Sequence, residues 1–143
     1  MKNLVLTFVF LLSFFTASFT MAESFSKEKR DAIVDNLIAG INSENQGIRT
    51  SAAYILGDLV DQNYLTSDDA SKGVIPLMSL IRKGGDEDKI VAALSLYKIG
   101  DGQGIYFLRG VAKFDDSSRV RNISKNLYCS FHKNHGSAYF CDF

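Results

Sequence analysis

The chain has no stretch that alternates apolar and polar residues, only two cysteines and two histidines, and no excess of either charge: 16 acidic side chains stand against 16 basic. Each shortage excludes something. Without a period of two there is little to build strands from. A balanced charge gives no general affinity for nucleic acid, which needs a concentrated basic face. The only histidines, His132 and His135, lie near the C-terminus, and no local catalytic signature surrounds a serine. No nucleophile with a base can be assembled, so no catalytic residue and no cofactor is expected. The glycines of "GDGQG", residues 100–104, follow no strand and make no phosphate loop; they read as a tight turn between helices. EF-hand spacing is absent around Asp86-Glu87-Asp88 and Asp115-Asp116. Those acids are expected to begin helices, where negative charge offsets the dipole. Asn122-Ile123-Ser124 matches the glycosylation pattern and is read as a chance match in a helix.

What is present begins with a leader. Met1-Lys2-Asn3 is a short basic start, and Leu4 to Phe15 is apolar but for Thr7 and Ser13. Small residues follow, with Ala22 the expected last residue before cleavage, the order of a secretory signal peptide over residues 1–22. The alternative is an uncleaved anchor, but the run is short of the ~20 residues a membrane span needs. No cysteine follows it, so a lipoprotein anchor has no support. An exported protein, periplasmic or secreted, is expected, with no membrane contact after cleavage. Residues 23–143 suffice for one domain and not for two ordinary ones. The charge balance hides a gradient: residues 23–70 carry nine acidic and four basic side chains, residues 105–143 three and six. The basic end suits an acidic partner or the acidic end of a second copy; a solvated charged surface is the more frequent explanation of such a gradient.

The rest reads as helix. Ile33, Val34, Leu37, Ile38 and Ile41 form one apolar stripe, and Ile48, Ala52, Ile55, Leu56 and Leu59 a second. "TSDDA" from Thr66 is a good helix start, followed by Val74, Ile75, Leu77, Met78 and Ile81. Asp86 is expected to cap a fourth helix through Ile90, Ala93, Leu94 and Tyr97. A fifth spans Ile105 to Phe114. Ser117 is expected to cap a sixth through Val120, Ile123, Leu127 and Phe131.

These helices repeat. Ala52-Ala53, Leu56 and Asp61 return forty positions on as Ala92-Ala93, Leu96 and Asp101. Val34, Leu37, Ile38 and Ile41 return as Val74, Leu77, Met78 and Ile81. "GVIPLMSLI" from Gly73 is echoed by "GIYFLRGVA" from Gly104, and "IRTSAAYIL" from Ile48 by "VRNISKNLY" from Val120. One amphipathic helix pair cannot bury its apolar face alone, and stacking on a like neighbour completes the core.

The pattern resembles HEAT repeats, particularly the short bacterial kind seen in phycobilisome-lyase-like proteins. Ile48-Arg49, Ala52-Ala53 and Leu56-Gly57 carry the resemblance in the first copy; Lys89, Ala92-Ala93, Leu96 and Ile99-Gly100-Asp101 carry it in the second. Val120-Arg121 carries it in the third, where Ser124-Lys125 replaces the alanines, a polar pair suited to an end with no further repeat. Pro76 falls where such repeats often kink. The resemblance implies an all-α, right-handed α-solenoid of about three antiparallel helix pairs over residues 23–131, closed by a capping tail over 132–143. It also implies a ladder of acids and arginines between neighbours, for which Glu44 and Asp116, each five residues before Arg49 and Arg121, are the candidates. Fold does not give function. The resemblance points to a protein-interaction or assembly scaffold without catalytic activity whose partner is another protein. The alternative is an accessory subunit of a cofactor- or substrate-handling enzyme. Second helices would line the concave side, where Arg49, Tyr54, Lys89, Tyr97, Arg121 and Lys125 are the candidate partner-binding residues. For the tyrosines burial is the competing reading, and for the arginines a structural role.

The tail from Cys129 gathers the reactive side chains. In an exported chain Cys129 and Cys141 read first as a disulfide. Closing so short a loop would contribute roughly 2.5–3 kcal/mol and pin Tyr139, Phe140 and Phe143 over the last pair. Free thiols are a second reading. A zinc site of Cys129, His132, His135 and Cys141 is a third, correct in ligand type but matching no zinc spacing.

Overall fold

The computed structural model describes residues 25–136 and Cys141. The leader expected over residues 1–22, and the packing expected of Tyr139, Phe140 and Phe143, lie outside the described residues. Among the described residues every regular element is helical. The six principal helices are α1 (Lys27–Ile41), α2 (Gln46–Asp61), α3 (Val74–Lys83), α4 (Asp86–Ile99), α5 (Gly102–Phe114) and α6 (Ser118–Asn134). A single α-turn, Ser67–Ala70, and a 3-10 turn, Ser71–Gly73, lead into α3.

Helix starts follow short polar side chains. The Asn45 side chain accepts from the Ile48 N–H at 3.2 Å, and the Ser117 hydroxyl accepts from the Val120 N–H at 3.4 Å. Thr66 and Asp69 bond reciprocally as a capping box. Two starts differ from expectation. The residue capping α4 is Gly85, and Asp86 lies inside the first turn, where its carboxylate accepts from the Ser117 hydroxyl at 2.5 Å. The "GDGQG" turn is also shorter than expected. Gly100 alone takes the left-handed conformation (φ 71°) that ends α4, and Asp101 caps α5 by accepting from the N–H groups of Gln103 and Gly104. Gly102, Gln103 and Gly104 are already helical. Pro76 is the third residue of α3, in the first turn, where its missing N–H interrupts nothing within the helix. The last helix runs to Asn134, past the expected end at residue 131.

The helices pack as α1 with α2, α3 with α4 and α5 with α6, and the second helices then pack in order, α2 on α4 and α4 on α6. First helices touch one another less. Leu56 and Leu96, both fully buried, make an interlock that repeats. A methyl group built on Gly73 would run into Leu56 Cδ2, and one built on Gly104 would stand 3.0 Å from Leu96 Cδ2. Each second-helix leucine thus fills the space left open by a glycine at the start of the next first helix. Small residues set two other close approaches. A side chain on Gly40 would strike Ala52, and one on Gly57 would stand 2.7 Å from the Ser95 Cα across the α2–α4 contact. There the buried Ser95 hydroxyl donates to the Ala53 carbonyl at 2.6 Å.

Three residues expected in the core are not there: Ile48 is 52 % exposed, Ile55 43 % and Ile75 56 %. Ala52-Ala53 and Leu56-Gly57 take the inward face of α2, which turns Ile48 and Ile55, seven residues apart, toward water. The reverse holds at the end of the array. Ser124, expected at a polar terminal face, is fully buried, and its hydroxyl has no partner among the described residues.

Ion pairs join one helix pair to the next. Arg30–Asp69 (3.0 Å), Lys72–Asp31 (3.1 Å), Arg49–Asp88 (2.9 Å), Lys98–Asp58 (2.9 Å) and Lys89–Asp115 (2.8 Å) all cross a pair boundary. Asp58 and Asp61 stand at the C-terminal end of α2, where acids oppose the helix dipole. Lys98 answers both, and the Asp58 carboxylate bonded to it, followed by Asp61, raises its pKa above the usual lysine value. The Asp69 carboxyl is held below its ordinary pKa, chiefly by the Thr66 N–H and hydroxyl and further by Arg30. A lowered carboxyl pKa means stability present above the unfolded value, roughly 3.9, and lost as pH falls through the folded one. Asp69→Asn is therefore expected to cost about 1 kcal/mol at neutral pH. In urea titrations, the gap between variant and wild type should close as pH falls below roughly 4. A gap that stays constant down to pH ~2 would remove the carboxylate's role.

Candidate interaction surface

The six candidate partner-binding residues divide by what their side chains already touch. The Arg49 guanidinium donates to the carboxylate of Asp88, which is 1 % exposed, and to the loop carbonyls of Ser43 (3.2 Å) and Glu44 (2.7 Å). Arg121 repeats the second half of that arrangement, donating to the carbonyls of Asp115 (2.6 Å) and Asp116 (3.0 Å). Both arginines thus hold the loop that precedes their own helix. The acids expected to pair with them, Glu44 and Asp116, offer these arginines backbone carbonyls. The ladder carboxylates are Asp88 and Asp115, and Asp115 takes Lys89. A lysine has one point of charge where an arginine has a fork, so Lys89 makes the cross-pair contact without the loop clamp. Tyr97 is partly buried against the core.

Tyr54 and Lys125 are exposed. Tyr54 is 48 % exposed, with the Lys98 ammonium 5.4 Å from its ring centre. Beside it Ile55 and Val91 line a shallow depression with Thr50 and Ser51. With Ile48 these side chains give the second-helix side an exposed apolar strip along α2.

Cys129 and Cys141 are paired as a disulfide, Cα to Cα 5.3 Å. Thiols joined in this way are not available as thiolate ligands. The His135 ring stacks on Phe131 at 4.2 Å between centres, its Nδ1 2.7 Å from the Phe131 carbonyl oxygen, and His132 meets Tyr128 edge-on at 4.4 Å. No cluster of three or more histidine, cysteine or acidic side chains fit to hold a metal occurs among the described residues. The disulfide is compatible with an exported location. No described helix is long and apolar enough to cross a membrane.

Among the described residues the most exposed aromatic side chains lie in the other layer, on a first helix. Tyr106 is 71 % exposed and Phe114 81 %. They flank an open groove of about 460 Å³ between α3 and α5, with Met78 and Phe107 among its lining residues and Arg109 and Lys113 beside them. The Arg82 guanidinium sits 5.0 Å over the Phe107 ring. The repeat pattern points to the second helices, whereas this groove lies along a first helix. A signal was present in the sequence: Tyr106, Gly110 and Phe114 stand four residues apart, on one face of a helix that carries no acidic residue. No family model matches the chain and no curated protein matches it, so the surface stands on its own geometry.

Proposed function

We propose that this chain is an exported HEAT-like protein, a solenoid of three helix pairs that serves as a protein-interaction or assembly module without catalysis of its own. Support for the repeat reading comes from the recurring contacts: the leucine-on-glycine interlock at Leu56 and Leu96, the arginine clamp at Arg49 and Arg121, and second helices packed in sequence order. The observation that carries the functional reading is the exposure of Tyr106 and Phe114, with Tyr54 and Ile55, on regular helices held from behind by a continuous core. Large exposed apolar side chains on a firm support are what protein interfaces are made of.

The test places a photo-crosslinking amino acid at Tyr54 or Tyr106, with the exposed Asn36 on α1 as control, in the compartment to which the protein is exported. A discrete protein adduct from one of the tyrosine positions and none from Asn36 is the expected result. No protein adduct, together with a tightly bound small molecule found by mass spectrometry, would transfer the chain to the alternative of an enzyme accessory that handles a cofactor or substrate.

A further inference from the structure

The groove between α3 and α5 has a shape and a charge that together define its occupant. Gly110 lies in its lining, one helical turn from Tyr106 and one from Phe114. A glycine inside a helix is unfavourable, and at Gly40, Gly57, Gly73 and Gly104 a neighbouring atom explains the missing side chain. At Gly110 nothing among the described residues does: a Cβ built there meets none of their atoms within 4 Å. The result is a notch between two exposed rings along the i±4 ridge of α5. A facing helix can lay a side chain of its own ridge into such a gap. The charge is one-sided. α3 and α5 contain no acidic residue, and their cations are Arg82, Lys83, Arg109 and Lys113. Of the acids that flank α5, Asp101 is bonded to its own helix start and Asp115 to Lys89, while Asp116 is exposed beyond Phe114, at the far end of the groove from Arg82 and Arg109 in sequence.

We propose that this groove binds an acidic amphipathic helix of a partner protein, with an apolar side chain seated over Gly110 between Tyr106 and Phe114 and carboxylates facing Arg109 and Arg82. A second copy pairing through the same face would set these cations against themselves. The apolar leader contains no acid before Glu23 to answer them. A membrane surface would use protruding rings but has no use for a notch between them. This inference rests on the reading of the chain as an interaction module and adds to it the site and the chemistry of the partner.

The experiment selects binders from a display library of random 16-residue peptides on the disulfide-bonded protein, then measures the enriched peptides against Phe114→Ala and Gly110→Leu. Gly110→Leu fills the notch with a good helix former in open space, so its thermal midpoint should not fall. Expected are net-negative peptides with apolar residues at helical spacing, bound about tenfold or more weakly by both variants, and more weakly by wild type as salt rises. Peptides that bind both variants as well as wild type overturn the groove and leave the module reading standing. Neutral or basic groove-dependent peptides overturn the charge argument. So does Phe114-dependent sedimentation with phosphatidylglycerol vesicles in place of peptide binding, which would make the occupant a lipid surface. Self-association of the wild type that Phe114→Ala abolishes would make the occupant a second copy. No enriched peptide at all, on either layer, takes down both the inference and the reading beneath it.

Discussion

Replacing Arg49 by alanine is expected to cost about 3–5 kcal/mol of folding stability, because it strands a buried carboxylate. Asp88 is 1 % exposed, and its Oδ1 has no hydrogen-bond partner among the described residues, so its bond to Arg49 through Oδ2 is the contact that makes burial of the charge tolerable. The same substitution frees the Ser43 and Glu44 carbonyls at the turn into α2. Arg49→Lys should recover part of the loss at most, since an ammonium cannot hold two loop carbonyls and a carboxylate at once. Arg49→Ala combined with Asp88→Ala should be more stable than Arg49→Ala alone, because the orphaned charge is gone. Urea denaturation of the four proteins measures all of this. A loss under about 1 kcal/mol for Arg49→Ala would mean that water reaches Asp88 and that the pair is a surface one.

The second large effect is expected at the interlock. Leu96→Ala should destabilise by about 2–5 kcal/mol, since it removes a fully buried side chain and leaves space beside Gly104 that rigid helices cannot close. Gly104→Ala alone would press a methyl against Leu96, at the 3.0 Å separation found for the built Cβ. In the Leu96→Ala background the same methyl enters vacated space, so Gly104→Ala should recover part of the loss. This sign reversal separates a fitted pair from a generic core position. If Gly104→Ala is harmful to the same degree in both backgrounds, the leucine and the glycine are not partners.

The all-helical fold was legible because it rests on local signals: apolar spacing, polar caps and a copied pattern. Ala52-Ala53 and Ala92-Ala93 are buried, as their place in the repeat implied. The interlock was half legible, since the shifts that set Leu56 over Leu96 and Gly73 over Gly104 were both in the sequence, but nothing in one dimension joins a leucine to a glycine of the next helix. Ile48, Ile55 and Ile75 went astray for a related reason. An apolar stripe wider than the contact it serves leaves its edge outside, and only the neighbour's position decides which edge. The surface was the least legible part. For Arg49 and Arg121 a structural role stood beside partner contact from the outset, and both, like Lys89, make bonds that hold the fold; which carboxylate or carbonyl takes each cation was not readable from spacing alone. Tyr106 stands in the echoed stretch over Ile75, exposed in both copies, and Phe114 lies beyond that stretch; an apolar residue at either position looks the same in one dimension whether it faces core or water.

Tyr128 occupies in the third copy the place that Leu56 and Leu96 hold in the first two, and it is buried, its ring against His132. A phenol is bulkier than the isobutyl group that sits against Gly73 or Gly104. The joint that fastens one helix pair to the next is thus written in two residues, one on each side. The third copy keeps the glycine half, Gly104, and exchanges the leucine half for a ring.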